Sequence, residues 1–265
     1  MFLLRRIIII LLLLSFYSSV NAKEKEELLF YIGITMIKPV EELAHKFEKQ
    51  YNCKIKILQG GSQDLYESIK MSKIGDIYLP GSVIYRYRNL IDGLLLDGKF
   101  VGFNKLALVV KKGNPKNIKA SLLELTNEKL RVVLGNEHSG SIGNASKKVL
   151  RANNLYKKAM LNTSFLAPDS RNLTKVIIEN KADLVLNWYA TTFWNENKDF
   201  VQALELDDKY SNKSKLVFNL LATSKNKDLS RKFLNFASSE EGRKVFYKYG
   251  FLNDKDLKEF DKVSF

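Results

Sequence analysis

Four short segments place glycines and hydroxyls at the ends of expected strands. They are Gly33-Ile34-Thr35-Met36, Gly60-Gly61-Ser62-Gln63, Gly81-Ser82 and Ser139-Gly140-Ser141. Glycine lets a backbone approach a ligand closely. A helix N-terminus presents N–H groups without intrahelical partners and a partial positive charge. Serine and threonine add neutral donors. Together these groups suit an oxyanion held by dipoles. A single Ser or Thr in such a place also serves as an N-cap, so the argument rests on four similar segments in one chain. Arg171 stands at the start of a helix expected at Asn172–Glu179, where its charge opposes the helix dipole. It either aims at an anion or pairs with Asp169 on the surface. Tyr189 follows a buried strand and can donate its hydroxyl to the same pocket, with Trp188 as a wall or as packing.

Covalent and metal chemistry find fewer candidates. A nucleophile needs a placed base, and Ser139-Gly140-Ser141-Ile142-Gly143 lacks the Gly-x-Ser-x-Gly elbow pattern. No Walker or dinucleotide glycine pattern occurs. The histidines are His45, expected on a helix surface, and His138, expected in a loop where it reaches either solvent or ligand. Cys53 is the single cysteine, which excludes an intramolecular disulfide and CxxC metal sites. It reads as a buried, inert thiol. Asp76 and Asp183 border apolar strands, and Asp207-Asp208 reads as a solvated loop. No enzyme activity, cofactor or metal is expected.

The elements that must position these residues follow from apolar periodicity. Leu28–Ile32, Lys54–Leu58 and Asp76–Leu79 read as strands. Between them lie helices, one opened by Pro39 with Val40, Leu43, Ala44, Phe47 and Tyr51 on one face, another at Asp64–Met71. Strand-helix-strand-helix-strand is a parallel α/β signature. Ala107–Val110, Leu130–Leu134, Ala182–Asn187, Gln202–Leu206 and Leu216–Ala222 read as further strands. Helices are expected at Ser121–Leu125, Asn144–Asn153, Asn172–Glu179, Leu229–Ala237 and Glu240–Tyr249, the last closed by Gly250.

The chain has 265 residues, with 43 Lys and Arg against 29 Asp and Glu, and a net charge of +14. Residues 1–22 read as a cleaved signal peptide. Arg5 and Arg6 precede the apolar run Ile7–Leu14, and Val20-Asn21-Ala22 supplies small residues for cleavage. The run is short for a spanning helix, and no Cys follows for lipid attachment. The remaining 243 residues carry a net charge of about +12 and suit two lobes. Dispersed lysines without interleaved aromatics, on an exported chain, argue against a nucleic-acid partner.

In order along the chain, these segments resemble the periplasmic oxyanion-binding proteins of ABC importers, in the molybdate-binding-like branch. Pro39–Gln50 is similar to that family's first helix, Ile57–Gln63 to its second anion loop, and Gly75–Ser82 to its third strand and turn. Asn104–Asn117 resembles its crossover, and Ser238–Gly242 with Phe246–Phe251 its C-terminal helix. The resemblance implies an α/β type II periplasmic-binding clamshell, each lobe a mixed, mostly parallel sheet flanked by helices. Lobe one would be 23–107 plus 214–265, and lobe two 108–213. It implies a monomer in the periplasm that clamps a small oxyanion, such as molybdate or tungstate, and docks on a membrane permease. Ligand contacts would fall on Thr35, Met36, Gly61 and Ser62, and near Ser141, Arg171, Asn172 and Tyr189. The residues themselves add Ser82, Ser139 and Gly140. Three departures bear on the ligand. Ile34-Thr35-Met36 replaces a serine-bearing loop, Glu137-His138-Ser139-Gly140 lacks a proline, and Phe218-Asn219 replaces a Tyr-Pro pair. Phosphate, phosphonate, sulfate or a small organic acid fit the same pattern. A ligand-sensing partner of a receptor kinase, or a secreted enzyme or adhesin, would use the same scaffold.

Overall fold

The computed structural model describes residues 25–207, 210 and 213–265. The expected signal segment and Asp208 lie outside them.

The first sheet grows from the run at Leu28. Leu28, Phe30, Tyr31 and Ile32 are buried, so strand β1 (Glu26–Gly33) sits between two neighbours. Strands β2 (Cys53–Gly60) and β3 (Ile77–Leu79) flank it in parallel. Strand β4 (Leu95–Asn104) lies at the edge of this sheet. The chain then crosses through Lys105 into a second sheet. That sheet holds β5 (Leu106–Lys111), β6 (Val132–Gly135), β7 (Thr163–Ala167), β8 (Leu184–Trp188) and β9 (Val201–Glu205). It returns as β10 (Ser214–Leu221), antiparallel to β3 and β4.

The two sheets share one plan. Their orders are β2-β1-β3-β10-β4 and β7-β6-β8-β5-β9. In each, three parallel strands are followed by one antiparallel strand, which also pairs antiparallel with the fifth. In each, the fourth strand arrives from the opposite lobe. The result is a two-lobed α/β fold with mixed sheets flanked by helices. The carboxyl ends of the parallel strands face one another across the cleft, where open α/β sheets place ligands.

The lobes are filled differently. In lobe one, helix α1 (Ile37–Tyr51) buries Val40, Leu43 and Phe47, and α7 (Lys227–Ser238) buries Phe233. The Phe233 ring meets Phe30 at 4.6 Å, Phe47 at 5.2 Å and Phe218 at 5.6 Å, all edge to face. Lobe two is aliphatic: Leu108, Val133 and Val185 pack with Leu150, Leu173 and Ile177. Cys53 is buried, and burial pushes its thiol pKa up. Asp76 is absorbed by the fold, accepting from the Leu29 N–H at 2.7 Å and the Ser224 hydroxyl at 2.6 Å.

Several elements differ from the sequence expectation. Helix α1 starts at Ile37, two residues before Pro39, whose missing N–H falls in the first turn and costs nothing there. Strand β4 carries Asp97, Gly98 and Lys99 within its length, which hid its period. Strand β7 is an exposed edge, and it follows a short helix, α5 (Tyr156–Asn162). Among the described residues no helix is long and apolar enough to cross a membrane.

Asp183 ties the starts of β6 and β8 together. Its carboxylate accepts from the Arg131 backbone N–H at 2.9 Å and from Arg131 Nη2 at 2.8 Å, while Lys116 lies 3.2 Å away. The hydrogen bonds from Arg131 hold its pKa far below the usual carboxylate range. A depressed folded pKa stabilises above the unfolded value of about 3.9, and that stability is lost as pH falls further. Asp183→Asn therefore lowers the urea midpoint at pH 7 and has less effect at pH 3. An equal loss at both pH values would refute this linkage.

Candidate functional site

Four helical N-termini converge between the lobes. The 3-10 turn Ile34–Met36 follows Gly33 and runs into α1. Helix α2 (Ser62–Ser72) follows Gly61, α4 (Ser141–Ala152) follows Gly140, and α6 (Ser170–Ile178) follows Asp169. The turn after Gly33 and helices α2 and α4 have no side-chain cap. Their first-turn N–H groups are therefore not taken by a capping side chain. Only the fourth N-terminus is capped, by Asp169, which accepts from the Asn172 N–H.

The space they enclose is small, about 10 Å³ open to the centre of a water molecule. That is about the volume one water needs. It is lined by Gly33–Thr35, Gly60–Ser62, Gly81, Gly140–Ile142 and Asp169–Ser170. The Thr35 and Ser170 hydroxyls lie 3.1 Å apart, buried, and join the two lobes directly. Ser62 Oγ accepts from the Gly81 N–H at 3.0 Å, which leaves its own proton to donate. The Ser62 carbonyl accepts from the Tyr78 hydroxyl at 2.7 Å, fixing the start of α2. Among the described residues lining the cavity there is no lysine, arginine or histidine, and Asp169 is the one ionisable side chain.

The lobes are closed on one another. A β-carbon on Gly61 would stand 2.0 Å from the Ser139 carbonyl oxygen, and one on Gly81 would stand 2.1 Å from Ser141 Oγ. Each pair comes from opposite lobes. At the rim Arg171 Nη2 donates to Gln59 Oε1 at 2.8 Å, Asn144 Nδ2 donates to Tyr85 OH at 3.3 Å, and Lys38 pairs with Glu196 at 3.1 Å.

The structure brings together Thr35, Gly61, Ser62, Gly140 and Ser141 of the residues expected from sequence. The others stand elsewhere. Met36 lies in the lobe-one core. The Ser82 hydroxyl is bonded to that of Ser214 at 2.7 Å. Ser139 donates to the Pro168 carbonyl at 2.7 Å. Arg171 bonds Gln59 rather than Asp169, and its guanidinium lies 5.9 Å from the Trp194 ring centre. Asn172 is spent on Asp169 Oδ1, through its N–H and its Nδ2. The Tyr189 ring packs on Phe193 at 5.0 Å, and burial pushes its pKa up. His138 is exposed. Asp169 and Ser170 enter the lining unforeseen. Helix α6 begins two residues before the expected Asn172, and that shift makes Asp169 the N-cap and Ser170 the first helical residue. The Asp-Ser pair ahead of an apolar helix was the available signal.

A family model for bacterial extracellular solute-binding proteins matches residues 28–252. The chain belongs to that family. A Haemophilus influenzae relative described as a binding protein is 22% identical over 229 residues, spanning 86% of this chain and 92% of its own. The periplasmic molybdate-binding protein of Azotobacter vinelandii superposes with a TM-score of 0.73 at 16% identity, covering 85% of this chain and 99% of its own. A periplasmic binding protein of Actinobacillus pleuropneumoniae, solved with fructose-6-phosphate, gives a TM-score of 0.74 at 16% identity, covering 86% and 83%. The fold is that of a type II solute-binding protein, and its role is binding rather than catalysis. In such a protein the glycines at the seam govern closure. Gly61→Ala should hold the lobes apart, raising the radius of gyration in X-ray scattering and weakening ligand binding by tenfold or more. An unchanged scattering profile and affinity would contradict the close approach at Ser139.

Proposed function

We propose that this solute-binding protein captures a small tetrahedral oxyanion of the molybdate or tungstate type between its lobes and delivers it to the permease of an ABC importer. In this reading the chain is exported, is cleaved after Ala22, and acts as a monomer in the periplasm. Lobe one comprises 23–107 plus 214–265, and lobe two comprises 108–213. One observation carries the reading. Three uncapped N-termini and neutral hydroxyls surround a water-sized space without a cationic side chain. Such donors suit a compact, fully ionised anion, because they deliver many short hydrogen bonds without burying a second charge. Closure excludes water and strengthens each bond. Thr35, Gly61, Ser62, Gly140, Ser141 and Ser170 are the contacts assigned to the ligand. Arg171, bonded to Gln59 of the opposite lobe, would guard the entrance. Calorimetry and thermal shift against molybdate, tungstate, sulfate, phosphate, phosphonates, citrate and sugar phosphates test the reading. One-to-one binding of molybdate or tungstate supports it, and no response to any anion overturns it.

A second reading rests on Asp169. A carboxylate on the lining repels a fully ionised dianion and accepts from a ligand oxygen that carries a proton. It favours hydrogen phosphate, a phosphomonoester or an organic acid. Asp169→Asn keeps the cap on α6 and decides between the two. Binding that tightens by about tenfold supports the fully ionised ligand, and binding that weakens by a similar factor supports the protonated one.

A further inference from the structure

A second cavity lies at the other end of lobe two. Strands β6 and β8 begin beside it, at Val132 and Leu184, and run away from it toward the cleft, while β5 ends there at Lys111. It offers about 210 Å³ to the centre of a water molecule, far more than the closed cleft. Lys111, Lys116 and Arg131 line it, together with one acid, Asp183. Two of the cations share that acid, at 3.2 Å for Lys116 and 2.8 Å for Arg131. Lys111 Nζ donates to the neutral Asn180 Oδ1 at 2.8 Å. The cavity thus keeps two positive charges in excess.

The arrangement is held in place. The Asp183 side chain is 6% exposed. Arg131 is fixed by Asp183 and by the Asn180 carbonyl, which accepts from Nη1 at 2.6 Å. The floor is apolar, made by Ile118, Ile177 and Ala182. A cationic wall over an apolar floor fits a dianionic head on a small carbon body. Prior positioning of Arg131 lowers the ordering cost of binding.

We propose that this cavity is a second anion site, separate from the cleft, that takes a phosphate group either free or as a small phosphomonoester. Lys111, Lys116 and Arg131 hold the oxygens, and the ester body lies on Ile118 and Ile177. The site does not depend on which anion the cleft takes. The test is an amide NMR titration of the ¹⁵N-labelled protein with inorganic phosphate and, separately, glycerol 3-phosphate. Saturable shifts are expected at Lys111, Lys116, Arg131 and Asn180. Tighter glycerol 3-phosphate assigns the site to phosphomonoesters, and equal affinity assigns it to free phosphate. The double variant Lys111→Gln, Lys116→Gln keeps the Arg131–Asp183 pair that the fold uses. It should weaken binding here at least about tenfold, given the strength of charge-assisted hydrogen bonds. The amides of Gly33, Gly61 and Ser141 should titrate as before, whatever the cleft binds. Shifts that do not saturate, shifts confined to the cleft amides, or an unchanged affinity in the double variant would overturn the second site.

Discussion

Every helix leaves its first N–H groups without partners inside the helix. Here four such ends meet at one water-sized space, and most of the architecture serves that meeting. The parallel strands must point their carboxyl ends inward, because only then do the helices that follow begin at the cleft. Both sheets do so, with β1, β2 and β3 facing β6, β7 and β8. The crossing strands join the two sheets. Lys105 is the whole of the first crossover, and its carbonyl accepts from the Tyr189 N–H at 2.8 Å, so the exit from β4 is tied to the end of β8.

Bringing four helix ends together requires that side chains be absent as much as present. Gly61 and Gly81 let the opposite lobe come within van der Waals contact of their α-carbons. Gly143 does the same inside lobe two, where a β-carbon would stand 2.1 Å from the Asn136 carbonyl oxygen. That contact folds the Asn136–Gly140 loop back over α4 and delivers Ser141 to the cavity. The hydroxyls then finish the lining. Thr35 and Ser170 bond one another across the seam in the closed form. A ligand that takes over those hydroxyls replaces one neutral hydrogen bond with stronger charge-assisted ones.

Much of this was legible in the sequence, and the limits have physical causes. Gly60-Gly61-Ser62 was readable because glycines and a hydroxyl between a strand and a helix have few other uses. The buried strands were readable because burial on both faces demands continuous apolar runs, as at Leu28–Ile32 and Ala182–Asn187. Strand β4 was not, because a half-exposed edge tolerates Asp97, Gly98 and Lys99. Ser170 was hidden by a helix start displaced by two residues, which exchanges the residues in the first turn. Met36 looked equivalent to Thr35 beside it, yet one residue of rotation in a 3-10 turn sends its side chain to the core. Arg171 was read as a choice between ligand and Asp169. Its actual partner, Gln59, belongs to the other lobe, and no sequence pattern marks a contact between residues 112 apart.

The charge distribution gives the cleft its character. The chain is strongly basic, with a net charge of +14, yet the cavity lining holds no cationic side chain among the described residues. The two facts act on different steps. Charge on the outer surface acts over long range and raises the rate of encounter with anions. A lysine or arginine inside the cavity would instead need desolvation at every closure, whether or not a ligand was there. It would also hold the anion by an attraction that strengthens as water leaves. Uncapped N–H groups and hydroxyls carry no net charge to desolvate, and Thr35 and Ser170 bond one another when the lobes meet. They bind without a buried countercharge, and the bond they make is lost when the lobes part and water returns. On the proposed reading, positive charge outside and dipoles inside assign encounter to the surface and retention to the closed cleft, so that opening of the lobes is the step at which an anion would depart.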